Sequence, residues 1–147
     1  MSNFLPDRVQ RTIIRSFART VRDSSANFGF TLYSFLQTAV NTDLFLTFED
    51  DFTLHSQSPN CIVREFIKYS KQSIQTIPDE DRQIDAIAGY WMGFVIMQYA
   101  IRDHFPIKSI RSINMEWLYD AYDVLHTTDV NYTIDYMLRE NYHYDEI

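Results

Sequence analysis

Residues 86–101 read AIAGYWMGFVIMQYAI, sixteen residues without a charge. A helix that crosses a bilayer needs about 20 apolar residues, and this run carries Gln98 and two glycines. It therefore predicts a buried helix at the centre of a core, apolar nearly all round. The helix opens at IPDEDRQ, where Asp79, Glu80 and Asp81 sit at the end that favours negative charge. That acid triplet reads as dipole stabilisation rather than a metal site. The helix runs to about His104, and Pro106 ends it. Gly89 and Gly93, one turn apart, let a neighbouring helix approach closely.

Upstream, Pro6 takes the first turn of a helix to about Arg22. Val9, Ile13, Phe17 and Val21 form one buried stripe, and Arg8, Arg11, Arg15, Arg19 and Arg22 recur on an adjacent face. On an acidic protein such a row is expected to pair with the molecule's own carboxylates rather than with nucleic acid. After the break at SSANFG come a short amphipathic helix in TLYSFLQTAV and a second piece, TDLFLTFEDD, capped by Thr42. SQSPN starts another helix, with Ser58 as cap and Pro59 at the first helical position. Through CIVREFIKYSKQSI that helix turns Ile62, Phe66, Tyr69 and Ile74 inward.

Beyond Pro106, KSIRSI leads to NMEWLYDAYDVLH, with Met115, Leu118, Tyr122 and Leu125 inward. Thr127 or Thr128 caps a last helix, DVNYTIDYMLRE, in which Val130, Ile134, Met137 and Leu138 are apolar. No segment alternates for long in the manner of a strand, and no Asn-Gly or Asp-Gly hairpin signal occurs. The prediction is an all-α chain, a compact bundle of six or seven helices in a single domain. An N-terminal helical subdomain over 1–80 and a C-terminal one over 81–147 pack as one globular unit.

A length of 147 residues suits one domain with a sizeable core. Cys61 is the only cysteine, which excludes an internal disulfide or a cysteine-cluster metal site. The start, MSNFLPDRVQ, lacks the basic-then-apolar order of a signal peptide. Both features predict a cytoplasmic protein. The net charge of −7 is uneven. Residues 1–30 carry five arginines against Asp7 and Asp23, a net of +3, and the remaining 117 residues carry eight basic and eighteen acidic side chains, a net of −10. An acidic body repels phosphates and suits a basic protein partner.

No glycine-rich phosphate loop, nucleophile elbow or His-Glu-x-x-His motif is present. His55, His104, His126 and His143 have no paired ligand spacing, and Asp120 with Asp123 reads as two solvated carboxylates rather than a cation site. No cofactor is expected. Arg139 and His143, in RENYH, suggest a ribonuclease pair, the arginine binding phosphate and the histidine working on the ribose hydroxyl. Their spacing is closer than in the HEPN group of helical ribonucleases, and Glu140 follows the arginine where a polar neutral residue is usual.

The stretch YDVLHTTDVNYTIDY, 122–136, predicts a helix–turn–helix corner. His126 sits at the negative end of one helix, where its ring can hydrogen-bond a free carbonyl, and the threonines cap the next. Tyr122, Asp123, Val124, Leu125, His126, Thr127, Tyr132, Ile134 and Asp135 also carry a resemblance. With YWMGFVIMQYAI and the KSI connector, residues 86–138 resemble a short bacterial helical domain of unknown function. That domain accompanies ADP-ribosyltransferase-like toxins as an antitoxin-like partner. The resemblance carries no catalytic residue with it and leaves the N-terminal 80 residues unexplained.

What the resemblance implies is an antitoxin or immunity-type protein that binds a protein toxin from a neighbouring gene and occludes it. The partner face expected from the residues comprises Asp120, Asp123, Asp129, Asp135, Glu140, Asp145 and Glu146, with Tyr132, Tyr136, Tyr142 and Tyr144 as anchors. Charge reversal at Asp129 and Asp135 is expected to weaken that binding. The other readings are the HEPN-like ribonuclease and a self-associating structural protein of a mobile element, a homo-oligomer.

Overall fold

The computed structural model describes residues 4–70 and 74–145, with side chains to 140. Its centre is the helix read from the apolar run, Arg82–Arg102 (here α6), entered through a single 3-10 turn at Asp79–Asp81. By length and composition the segment Asp79–Arg102 is apolar enough to cross a membrane, but 72% of its most apolar window is buried against the rest of the chain. A helix with no polar face is mostly covered, and here cover is thinnest over its first turns, where Ile84 and Ile87 are exposed.

The helix α1 (Arg8–Ala26) lies against α6. An added Cβ at Gly93 would stand 2.8 Å from Val21 Cγ2 and 3.0 Å from Ala18 Cα, and one at Gly89 would stand 2.7 Å from Leu32 Cδ2. Both glycines thus make room for their neighbours, as the one-turn spacing predicts. Asp7, not Pro6, begins α1. Its carboxylate accepts from Gln10 N at 2.8 Å while Gln10 Oε1 accepts from Asp7 N at 2.9 Å, a closed capping box. The buried face is Ile13, Ile14, Phe17, Ala18 and Val21. Val9, expected inside, is 66% exposed, and Leu5 beside it is exposed too.

The helices α2 (Leu32–Val40), α3 (Asp43–Leu46), α4 (Phe52–His55) and α5 (Pro59–Tyr69) enclose an aromatic cluster. Phe45, Phe48 and Phe66 meet Phe17 edge-on at 5.4, 5.5 and 6.1 Å. Ser58 caps α5 above Pro59 as expected. Extended backbone at Ser70 ends the helix, so Ile74 lies beyond it and Tyr69 is 57% exposed instead of inward. Thr42 occupies the cap position of α3 without capping it, since its hydroxyl donates back to Ala39 O at 2.7 Å. Among the described residues the one β pairing is an isolated bridge between Phe30 and Thr76.

The chain closes with α7 (Ile107–Arg111), α8 (Met115–Leu125) and α9 (Val130–Asp145). The domain is all-α, with nine α-helices among the described residues. Six are longer and three, α3, α4 and α7, have only four or five residues. One apolar cluster takes in side chains from α1, α2, α5, α6, α8 and α9. The segments 1–80 and 81–147 therefore share one core, and the contact of α1 with α6 spans the division.

The arginine row departs from expectation. Arg22 pairs with its neighbour Asp23 at 2.9 Å. Arg8, Arg11, Arg15 and Arg19 are exposed, and among the described residues none has a carboxylate within 4.0 Å. The α5 and α6 contacts bury the opposite face of α1, which leaves the arginines pointing away from the body that carries the acids.

Candidate functional site

The 122–136 stretch folds as the corner the sequence predicts. His126 follows the last residue of α8, and its Nδ1 lies 2.6 Å from Tyr122 O. A carbonyl only accepts, so the imidazole carries its proton on Nδ1. The ring also stacks on Tyr122 at 4.5 Å, and Tyr122 in turn meets Trp91 edge-on at 5.8 Å. Thr128 does not cap α9. Its hydroxyl donates to Leu125 O at 2.6 Å, closing α8, and sits 3.2 Å from the Thr133 hydroxyl. The cap is Asp129, which accepts from Asn131 N at 2.7 Å. Thr127 is exposed.

Two polar pairs hold α9 on α6. Gln98 Nε2 donates to Asn131 Oδ1 at 3.1 Å, and Asn131 Nδ2 donates to Phe4 O at 2.6 Å. Arg102 Nη1 donates to Asp135 at 3.0 Å, while its Nε and Nη2 bind Asp103 at 2.9 and 3.1 Å. Burial is the largest single influence on Arg102 and pulls its pKa down, but the two carboxylates together outweigh it and the net direction is up. Two expected partner residues thus have duties within the fold: Asp129 caps α9 and Asp135 pairs with Arg102.

The remaining expected anchors meet in a groove of about 390 Å³ between α8 and α9. Trp117 stacks on Tyr136 at 5.7 Å, Tyr132 lies 6.3 Å from Tyr136, and Arg139 Cζ covers the Tyr136 ring at 5.5 Å. Asp120, Ala121, Val124 and Leu125 complete the lining. Val124 is 75% exposed, the most open apolar side chain among the described residues of the two helices. Trp117 and Val124 are absent from the face expected from sequence. Their signal was the seven-residue spacing, which puts both on one side of α8. Asp123 is exposed on the same helix, and Glu140 is half-buried on α9. The side chains of Tyr142, His143, Tyr144 and Asp145, and Glu146 altogether, lie outside the described residues, so the pair of Arg139 with His143 does too.

A second cavity, about 310 Å³, opens between α2, α6 and α8. Asp85, Glu116 and Asp120 line it, with Tyr33 and Tyr119 and an apolar wall of Leu32 and Met115. Tyr119 Oη donates to Asp85 Oδ1 at 2.9 Å. Burial, then Asp85, then the charges of Asp120 and Asp123 push the Tyr119 pKa from 10.0 to about 12. A raised acid pKa stabilises the fold fully below pH 10 and loses that contribution as pH rises from 10 towards 12. An absorbance titration of tyrosinate is therefore expected to show a late component that Tyr119→Phe removes and Asp85→Asn shifts down. Unchanged late titration in Tyr119→Phe would assign it elsewhere.

Among the described residues no three His, Cys, Asp or Glu side chains are placed to hold a metal ion. Comparison with known protein families, curated proteins and solved structures gave no match for this chain.

Proposed function

We propose that the protein is an antitoxin or immunity-type protein that binds a protein toxin and blocks it by occlusion. The observation that carries this reading is the α8–α9 groove, an aromatic and aliphatic recess open to solvent with carboxylates beside it. Rigid aromatic side chains give contact area at small entropic cost, and exposed acids select a basic partner and speed its approach. The resemblance of residues 86–138 supports an ADP-ribosyltransferase-like toxin as that partner. A site that binds the NAD pyrophosphate is generally basic, so an acidic, aromatic face complements it. Trp117, Tyr132 and Tyr136 would anchor the contact and Asp120 and Asp123 would set its charge, with no reaction at the interface.

Co-expression with the product of the adjacent gene, affinity capture and a growth assay test the proposal. A stable complex and rescue of growth are expected. Val124→Arg should leave the fold intact, because the side chain is already in solvent. It should weaken the complex about 30-fold or more, the range of a central interface residue. Absence of both a complex and a toxic neighbour would remove the proposal. An undiminished complex in Val124→Arg would move the contact to another face.

A further inference from the structure

Two further features, of which only the second touches the groove, through Asp120, each have the chemistry the other lacks. The first is the row Arg8, Arg11, Arg15 and Arg19, which spans about 16 Å of one face of α1. All four are exposed, and the described residues offer none of them a carboxylate. Among the described residues Arg11 is the one of the four with a side-chain hydrogen bond, from Nη1 to Pro6 O at 3.0 Å. The second is the cavity between α2, α6 and α8, where Asp85, Glu116 and Asp120 converge and, among the described residues, no lysine or arginine takes part in the lining. Its two tyrosines offer ring faces on which a guanidinium can stack.

We propose that the chain associates head to tail with a second copy of itself, the arginine row of one copy seating on the acidic cavity of the next. Spacing supports the match. Glu116, Asp120 and Asp123 are exposed at i, i+4 and i+7 along α8, a ladder about 10 Å long that repeats the three- and four-residue steps of the arginines. Seating in a cavity also removes water from the charges. Exposed pairs on a flat surface contribute little, whereas desolvated, bidentate arginine–carboxylate contacts are stronger and more selective. Nucleic acid fits the row less well, because 117 of the residues carry a net of −10 that repels phosphates. The two patches belong to different helices, so the contact is heterologous. A pair keeps one unused cavity on one copy and one unused row on the other, and association continues into a ring or an open chain.

This inference shares Asp120 and Asp123 with the proposed toxin contact, and Glu116 allows the two to be tested separately because it lines the cavity but not the groove. Sedimentation of the whole chain over a range of concentrations reads it directly. At about 20 mM salt, where screening reaches only beyond about 20 Å, the weight-average mass is expected to climb from 17.5 kDa to at least twice that value. At about 0.5 M salt, with a screening length of about 4 Å, it should return to 17.5 kDa. The double variant Arg15→Glu, Arg19→Glu and the single variant Glu116→Arg should each stay monomeric. Mixed together they should form one-to-one dimers and nothing larger, since the first keeps its cavity and the second keeps its row. A wild-type protein that stays at 17.5 kDa in low salt overturns the proposal. So does association that both variants retain. Retention of a labelled DNA duplex by monomeric wild type, lost in the arginine variant, would also overturn it and give the row to nucleic acid.

Discussion

Gly93→Ala is expected to destabilise the protein by about 2 kcal/mol, although the same change on an open helix face would stabilise it by about 1 kcal/mol. The reversal comes from contact with α1. The new methyl would meet Val21 Cγ2 at 2.8 Å and the backbone carbon of Ala18 at 3.0 Å. Backbone cannot rotate away, so α1 and α6 must separate, and overfilling a packed core typically costs about 1–3 kcal/mol. Gly89→Ala is the control. Its close neighbour, Leu32 Cδ2 at 2.7 Å, is the end of a flexible side chain, and Val21 stands at an ordinary 3.5 Å. That variant should stay within about 1 kcal/mol of wild type. Gly93→Val adds two further carbons at the same point and is expected to abolish cooperative unfolding. Urea titration separates these outcomes. A Gly93→Ala protein as stable as wild type would mean that the two helices do not pack this closely in solution.

That contact was legible because composition alone fixed α6 as a core helix and left the two glycines no role but packing. Other features depend on how far a neighbour reaches, which periodicity does not encode. Val9 lies on the right stripe of α1, yet no described element covers it, and Tyr69 falls on the last turn of a helix that Ser70 ends. The threonines misled for a different reason. A hydroxyl can accept from the next helix or donate to the previous one, and Thr42 and Thr128 both donate backwards. The one-turn helices α3, α4 and α7 are too short to be stable alone, so tertiary contacts decide them. The groove between α8 and α9 was half legible. Acid and tyrosine content picked out Asp120, Tyr132 and Tyr136, but the groove also needs Trp117 and Val124 from α8. The acidic cavity was not legible at all, being assembled from α2, α6 and α8.

Asp135→Lys is expected to cost about 3 kcal/mol and to loosen α9 from α6, and it therefore reports on folding before it reports on any partner. Arg102, whose side chain is only 6% exposed, spans Asp103 and Asp135, and Asp135 retains 30% exposure. Removing one member of a buried pair costs about 3–5 kcal/mol because the other charge stays desolvated. The partial exposure of Asp135 sets the lower end, and the new ammonium adds repulsion against the guanidinium. Ile134, Met137 and the Gln98–Asn131 hydrogen bond still hold α9, so the loss should appear as faster amide exchange along α9 ahead of global unfolding. Asp123→Lys makes the opposite separation. Its carboxylate is exposed and has no ion pair among the described residues, so stability should change by no more than about 0.5 kcal/mol. If the acidic face binds a basic protein, the same variant should slow association and weaken the complex about tenfold, with the loss shrinking at high salt. A stability loss in Asp135→Lys with no slowing of association, beside slowed association in Asp123→Lys with no stability loss, would divide the acids of this segment by function. Equal stability of Asp135→Lys and wild type would mean that the Arg102 pair contributes nothing in solution.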